Sequence, residues 1–99
     1  LLVSQSLAGK KAWSAAALRM PTHQLAEQVQ PGASLYGIQN EPGLCCLGGG
    51  LPCWSGGVLL GAIGISGGSV DEDVVIAGEA LAQFSRERFP LASVAPSMS

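Results

Sequence analysis

Few residues in this chain are equipped for chemistry. His23 is the only histidine and follows Met20 by three positions, a spacing that lets an imidazole and a thioether project together as ligands to a metal ion. His23 is the candidate metal ligand, a surface histidine that holds no ligand being the plainer reading of a lone imidazole. With Asp73, Glu72 and Lys11 it is also a candidate proton carrier, Asp73 and His23 being the catalytic candidates. Acid–base work on a small carbonyl compound or hydroxy acid needs two such groups converging on one pocket. The residue pattern shows no convergence, and helix-capping and surface roles account for all four.

Cys45, Cys46 and Cys53 lack a Cys-x-x-Cys spacing and have one histidine for company, which argues against a structural zinc site. They suit strands as small apolar residues, with thiolate ligation to iron the chemical alternative. The stretch "LGGGLPCWSGGVLLGAIGISGG", residues 47–68, is rich in glycine and carries no charge. It lacks the Gly-Lys-Ser/Thr ending of a phosphate loop and the Gly-x-Gly-x-x-Gly dinucleotide pattern. Ser66-Gly67-Gly68 leads to a helix N-terminus, where N–H groups favour an anion, but Asp71, Glu72 and Asp73 already place negative charge there. In a strand over 58–66, Gly64 faces one side and Gly61 the other, so a helix or a flat ligand can reach the backbone on either face. Packing and binding both explain that arrangement.

These residues need elements to hold them. Residues Ser4 to Met20 are alanine-rich, with Trp13, Ala17 and Met20 at helical spacing, which predicts a first helix that buries a tryptophan. Pro21 disfavours helix at Met20, Thr22 is the expected N-cap of a short second helix, and Leu25 and Val29 form its apolar pair before Pro31-Gly32 ends it. "SLYGIQ" and "LCCL" read as strands around an "NEPG" turn. Pro52-Cys53-Trp54 reads as a short extended piece, and Ser55-Gly56-Gly57 as a turn into "VLLGAIGIS", expected to be a central, well-buried strand. Ser69-Val70-Asp71-Glu72 matches a capping box, and the helix it opens carries an apolar stripe of Val74, Ala77, Leu81 and Phe84 and ends at Arg86 and Arg88. Residues 90–99 have no periodicity and are expected to be a loose tail after a domain over 1–89. Helices, three or four antiparallel strands and a last helix make an α+β layout.

At 99 residues the chain holds one domain at most. Charged residues make up 12% of it, against roughly 25% in typical soluble domains, and the mean hydropathy is +0.36. That is too little charge to cover a free surface, and self-association is expected. The net charge is −2 and the five basic residues form no stripe, which argues against a nucleic-acid partner. The most apolar window, Gly57 to Ile65, is under half the length a membrane-spanning helix needs. An odd number of cysteines, two of them adjacent, fits a reducing, cytoplasmic compartment rather than a disulfide framework.

Taken together, "KKAWSAAALRMPTHQL", "PGASLYGI", "GGGLP" and "GGVLLGAIGISGGSVDEDVVIAGEAL" resemble the GlcG/HbpS-like family, also called the DUF336 or haem-degrading-domain family. Its Lys-Ala-x-Thr-Ala helix, Pro-Thr helix start, Pro-Gly turn, Gly-Gly-x-Pro, Gly-x-x-x-Gly-Ala-x-Gly-x-Ser-Gly and Asp-led helix are matched by Lys11–Ala15, Pro21-Thr22, Pro31-Gly32, Gly49–Pro52, Gly57–Gly67 and Asp73. Ser14 stands where threonine is usual, Glu72 where glutamine is common, and the three cysteines lie outside the pattern. The resemblance implies a profilin-like or PAS-like antiparallel sheet packed with helices, of which this chain corresponds to the C-terminal portion. The family normally carries a further helix and two strands first, so the resemblance also implies that a second chain or a longer form of this one supplies them. It implies a small planar ligand, haem first and a corrinoid second, with His23, Met20, Thr22, Gly49, Gly50 and Gly64 as the candidate binding positions. An enzyme subunit acting on a small organic acid and a structural subunit completing a partner's sheet are the alternatives.

Overall fold

A computed structural model describes residues 2–88 and 93–94. The elements are α1 (Leu2–Leu18), α2 (Thr22–Gln28), a 3-10 turn (Ile38–Asn40), β1 (Gly50–Ser55), β2 (Val58–Gly64), α3 (Val70–Arg88) and β3 (Ser93–Val94). The strands form one antiparallel sheet in the order β2-β1-β3, so the α+β class holds. The expected tail over 90–99 lies outside the described residues apart from Ser93–Val94.

Helix α1 stops where Arg19 takes a left-handed conformation, φ 55°. The Met20 N–H then reaches back to the Ala15 carbonyl at 3.2 Å, the long-range bond of a Schellman end. The Arg19 guanidinium lies 5.9 Å from the centre of the Trp54 ring, within cation–π range. The tryptophan expected to be buried by α1 is not: Trp13 is 54% exposed, because α1 turns its small residues, Ala8, Ala12 and Ala15, toward the protein.

The reason lies across the sheet. Gly50 and Gly64 face each other as a cross-strand pair, and a side chain on either would run into α1: Lys11 backbone at Gly50, Ala8 and Ala12 backbone at Gly64. Pro52 and Ala62 are the next pair but one along the same face. That face is made of small residues so that α1 can lie directly on the backbone. The opposite face carries Leu51, Cys53, Ile63 and Ile65, which pack with Ala77 and Leu81 of α3 to form the apolar core. Leu51 and Leu81 are buried there almost completely, each contributing about 1.5–3 kcal/mol.

The hairpin turns at Gly56 and Gly57, both at positive φ, as a two-residue connection of this type requires. The capping box forms as expected: Ser69 Oγ accepts from the Glu72 N–H at 3.1 Å and Glu72 Oε1 accepts from the Ser69 N–H at 2.9 Å. Three expectations about strands fail. "SLYGIQ" is a run of turns ending in the 3-10 turn, because local bonds such as Tyr36 N–H to Ala33 O and Ile38 N–H to Leu35 O satisfy its backbone without a ladder, and Gly37 at φ 104° breaks any extended path. "LCCL" is irregular, since the Cys45 N–H donates to Ser14 Oγ at 2.8 Å instead of to a strand. The "VLLGAIGIS" strand lies at an edge of the sheet among the described residues, not at its centre, and is only half-buried.

Candidate functional site

The backbone at Gly48-Gly49-Gly50 threads the point where all three helices meet the sheet. A side chain at Gly48 would meet Val70 and Val74 of α3 and the His23 Cβ, and one at Gly49 would meet the Ile65 carbonyl, Lys11 Nζ and Asp73. Gly49 sits at φ 123° besides. Of the candidate positions Gly49, Gly50 and Gly64, each has protein atoms where a side chain would go.

Lys11 and Asp73 lie at the heart of this crossing, 2% and 3% exposed. Lys11 Nζ donates to Asp73 Oδ2 at 3.1 Å and to the Ile65 carbonyl at 2.9 Å. Asp73 Oδ1 accepts from the Gly68 N–H at 3.0 Å. One ion pair thus ties α1 to α3 and to the end of β2. Burial pushes the Asp73 carboxyl up, but the Gly68 N–H, the Lys11 ammonium and the Gly67 N–H outweigh it and hold the group below the usual carboxylate range. An ionised carboxylate with both oxygens engaged and only 3% of the residue exposed serves here to bind the lysine. The sequence offered both residues as separate candidate proton carriers, or as cap and surface groups, and not as a pair. The signal for pairing them is that each opens a motif, Lys11 the Lys-Ala stretch and Asp73 the last helix, 62 residues apart.

Thr22 is buried and is the first residue of α2, not its cap. The Pro21 carbonyl accepts the first helical bonds, and Thr22 Oγ1 accepts from the Gly50 N–H at 2.8 Å. The hydroxyl therefore pins α2 to β1 in place of capping its own helix. One residue on, His23 is half-buried, with Nδ1 enclosed and without a hydrogen-bond partner among the described residues.

Met20 lines a cleft of about 390 Å3 with Gln24, Glu27, Gln28, Ser34 and Leu35. A second cleft of about 430 Å3 opens beside Trp13, Ile38 and Leu44. A third, of about 370 Å3, lies between β2 and α3 and is lined by Cys53, Leu60, Gly61, Ala62, Ile63, Leu81 and Phe84. His23 lines none of these clefts. Cys45, Cys46 and Cys53 are all free thiols. Burial, and then the neighbouring Cys45, push the Cys46 thiol up, away from thiolate character. No cluster of three or more metal-ligating side chains occurs among the described residues, and no helix there is long and apolar enough to cross a membrane.

Comparison with known proteins gives a consistent relationship. Residues 1–82 match the family described as haem degrading protein HbpS-like. The corrinoid adenosyltransferase PduO of Salmonella typhimurium is 50% identical over 84 residues, which is 83% of this chain and 25% of that protein. A crystal structure of a PduOC:heme complex superposes with a TM-score of 0.79 at 50% identity, covering 83% of this chain and 61% of that one. The Klebsiella pneumoniae protein ORFY, assigned to DUF336, superposes with a TM-score of 0.80 at 42% identity, covering 86% and 60%. The chain thus spans a quarter of the curated relative and about three fifths of each solved domain.

Proposed function

The chain belongs to the HbpS-like family of haem degrading proteins, and from that membership we propose that it is a haem-binding domain in which His23 is the ligand to the iron. The observation that carries this reading is the half-identical solved domain whose structure is a complex with haem. Within this chain, His23 fits the role of donor. It is the only imidazole, and with Nδ1 turned into the protein, Nε2 is the nitrogen left to meet an iron outside. Bound haem would supply a redox-active iron. The chain's own part is to hold His23 in place: Thr22 fastens the start of α2 to Gly50, and Gly48, lacking a side chain, lets His23 close against the glycine run. Thr22, Gly49, Gly50 and Gly64 act in this reading by building the scaffold, and Met20 stands apart.

Addition of haem to the purified chain is expected to give a Soret band, and His23→Ala to weaken haem binding by about tenfold or more, while Met20→Ala leaves it unchanged. An unchanged Soret titration in His23→Ala would remove the assignment. The same titration with a cobalamin tests the corrinoid suggested by the name of the Salmonella relative. The acid–base alternative gains nothing from the buried, fully engaged Asp73. Work within an assembly is supported by exposed Val58, Leu60, Val75, Ile76 and Phe84, apolar surface of the kind that marks an interface.

A further inference from the structure

We propose that the cleft between α1 and the 3-10 turn is a binding site for a small organic ammonium ion. Its charged head is held by the Trp13 ring and the Glu41 carboxylate, and its hydrocarbon body rests on Leu18, Ile38 and Leu44. The inference rests on this cleft alone, independently of haem.

The cleft has a volume of about 430 Å3, within the range of small-molecule sites. Its apolar walls are Leu18 of α1, Ile38 of the turn and Leu44, all half-buried. Trp13 lines it too and is 54% exposed, although tryptophan is ordinarily well covered and carries more apolar area than any other side chain. The family pattern does not ask for it, since Trp13 fills the unspecified position of the Lys-Ala-x-Thr-Ala stretch. The ring is nevertheless supported. Gly43, at φ 91°, lies beside it, and a Cβ there would stand 3.8 Å from Trp13 Cζ3.

The charge of the cleft has one sign. Asn40 and Glu41 line it, and among the described residues no lysine, arginine or histidine does. Glu41 is exposed, and the one ion pair among the described residues is Lys11–Asp73, so the Glu41 carboxylate has no cation of its own there. Its backbone is fixed on both sides: the Glu41 N–H donates to the Ile38 carbonyl at 2.9 Å, and the Glu41 carbonyl accepts from the Leu44 N–H at 3.2 Å. A tryptophan ring attracts cations through the negative charge of its π system. Trp54 already has such a cation in Arg19, and Trp13 has none among the described residues. A carboxylate beside an unpaired ring therefore selects a positive head, and it repels an anion such as a haem propionate. A metal ion needs several oxygen ligands, whereas this cleft offers one carboxylate between hydrocarbon walls. An ammonium ion with alkyl groups matches both the charge and the walls.

The test adds choline, a quaternary ammonium ion, to the 99-residue protein, free of haem, and follows the indole and backbone N–H signals by NMR. The matched probe is the neutral alcohol in which carbon replaces the charged nitrogen of choline. A saturable shift of the Trp13 indole and the Ile38 and Leu44 amides is expected, with a Kd of about 1 mM or tighter, while the Trp54 indole stays in place. The neutral alcohol is expected to bind about tenfold more weakly. Trp13→Leu, which keeps an apolar side chain but removes the ring, is expected to weaken choline about fivefold, read from the Ile38 amide. Glu41→Gln is expected to weaken it about threefold, and this exposed substitution decides the matter should Trp13→Leu fail to fold by circular dichroism. The proposal is overturned by the absence of a saturable shift, by equal affinity for the neutral alcohol, by the same shifts on adding potassium chloride, or by a folded Glu41→Gln that binds choline as tightly as before. A homodimer in native mass spectra whose formation shifts Trp13 and excludes choline overturns it as well and makes a second copy the occupant.

Discussion

Lys11 and Asp73 survive burial because each has a second partner: the Ile65 carbonyl for the ammonium and the Gly68 N–H for the carboxylate. Removing one leaves the other charged and unpaired in the interior, at a cost of about 3–5 kcal/mol. Lys11→Met is expected to lower the free energy of urea unfolding by that amount, and Lys11→Met combined with Asp73→Leu to recover much of it. The pair also sets a pH dependence. Asp73 has a lower pKa folded than unfolded, so its stabilisation is complete above the ordinary carboxylate value. It is lost as the pH falls below about 4 toward the folded value. Unfolding followed from pH 6 downward should steepen in that window, and Asp73→Asn, already destabilised at neutral pH, should flatten the profile there. His23 is legible as the one possible imidazole donor, whereas the lining of a cleft by Met20 without His23 is not, because spacing alone does not encode the left-handed turn at Arg19 between them.

Glycine is where sequence and element meet. Gly64 and Gly61 alternate across β2 as period two demands, yet their neighbours differ: α1 backbone lies against Gly64, and open space lies beside Gly61. Gly64→Ala is expected to force α1 off the sheet and destabilise by about 1–3 kcal/mol, while Gly61→Ala stays within about 0.5 kcal/mol, both read from denaturant midpoints. At the head of α3, Ser69 and Glu72 exchange hydrogen bonds, and the Ser69 backbone N–H, followed by its hydroxyl, holds the exposed Glu72 carboxyl below its ordinary range. Ser69→Ala should cost about 1 kcal/mol in the same assay. The capping box, the Gly56-Gly57 turn and the α3 stripe were all readable because local chemistry forms them. The "SLYGIQ" stretch misled because its β-prone Tyr36 and Ile38 lie in a segment whose turns already satisfy the backbone, leaving Tyr36 60% exposed.

For the whole molecule, one layer is thick and the other thin. Helix α3 and the apolar face of β1 and β2 make the core, while α1 covers the small-residue face, and the exposed apolar groups Val58, Leu60 and Phe84 lie toward the β2 side.

The amino-acid sequence alone determined the helices, the hairpin and the family, since capping residues, paired glycines and spaced motifs act within a few positions of one another. Tertiary structure alone decided that Lys11 meets Asp73, that Thr22 bonds Gly50 instead of its own helix, and that β2 lies at an edge of the sheet among the described residues. Each of these depends on groups that chain folding brings together from tens of residues apart, or on a neighbour that is or is not there, and no local pattern encodes the distance between such groups.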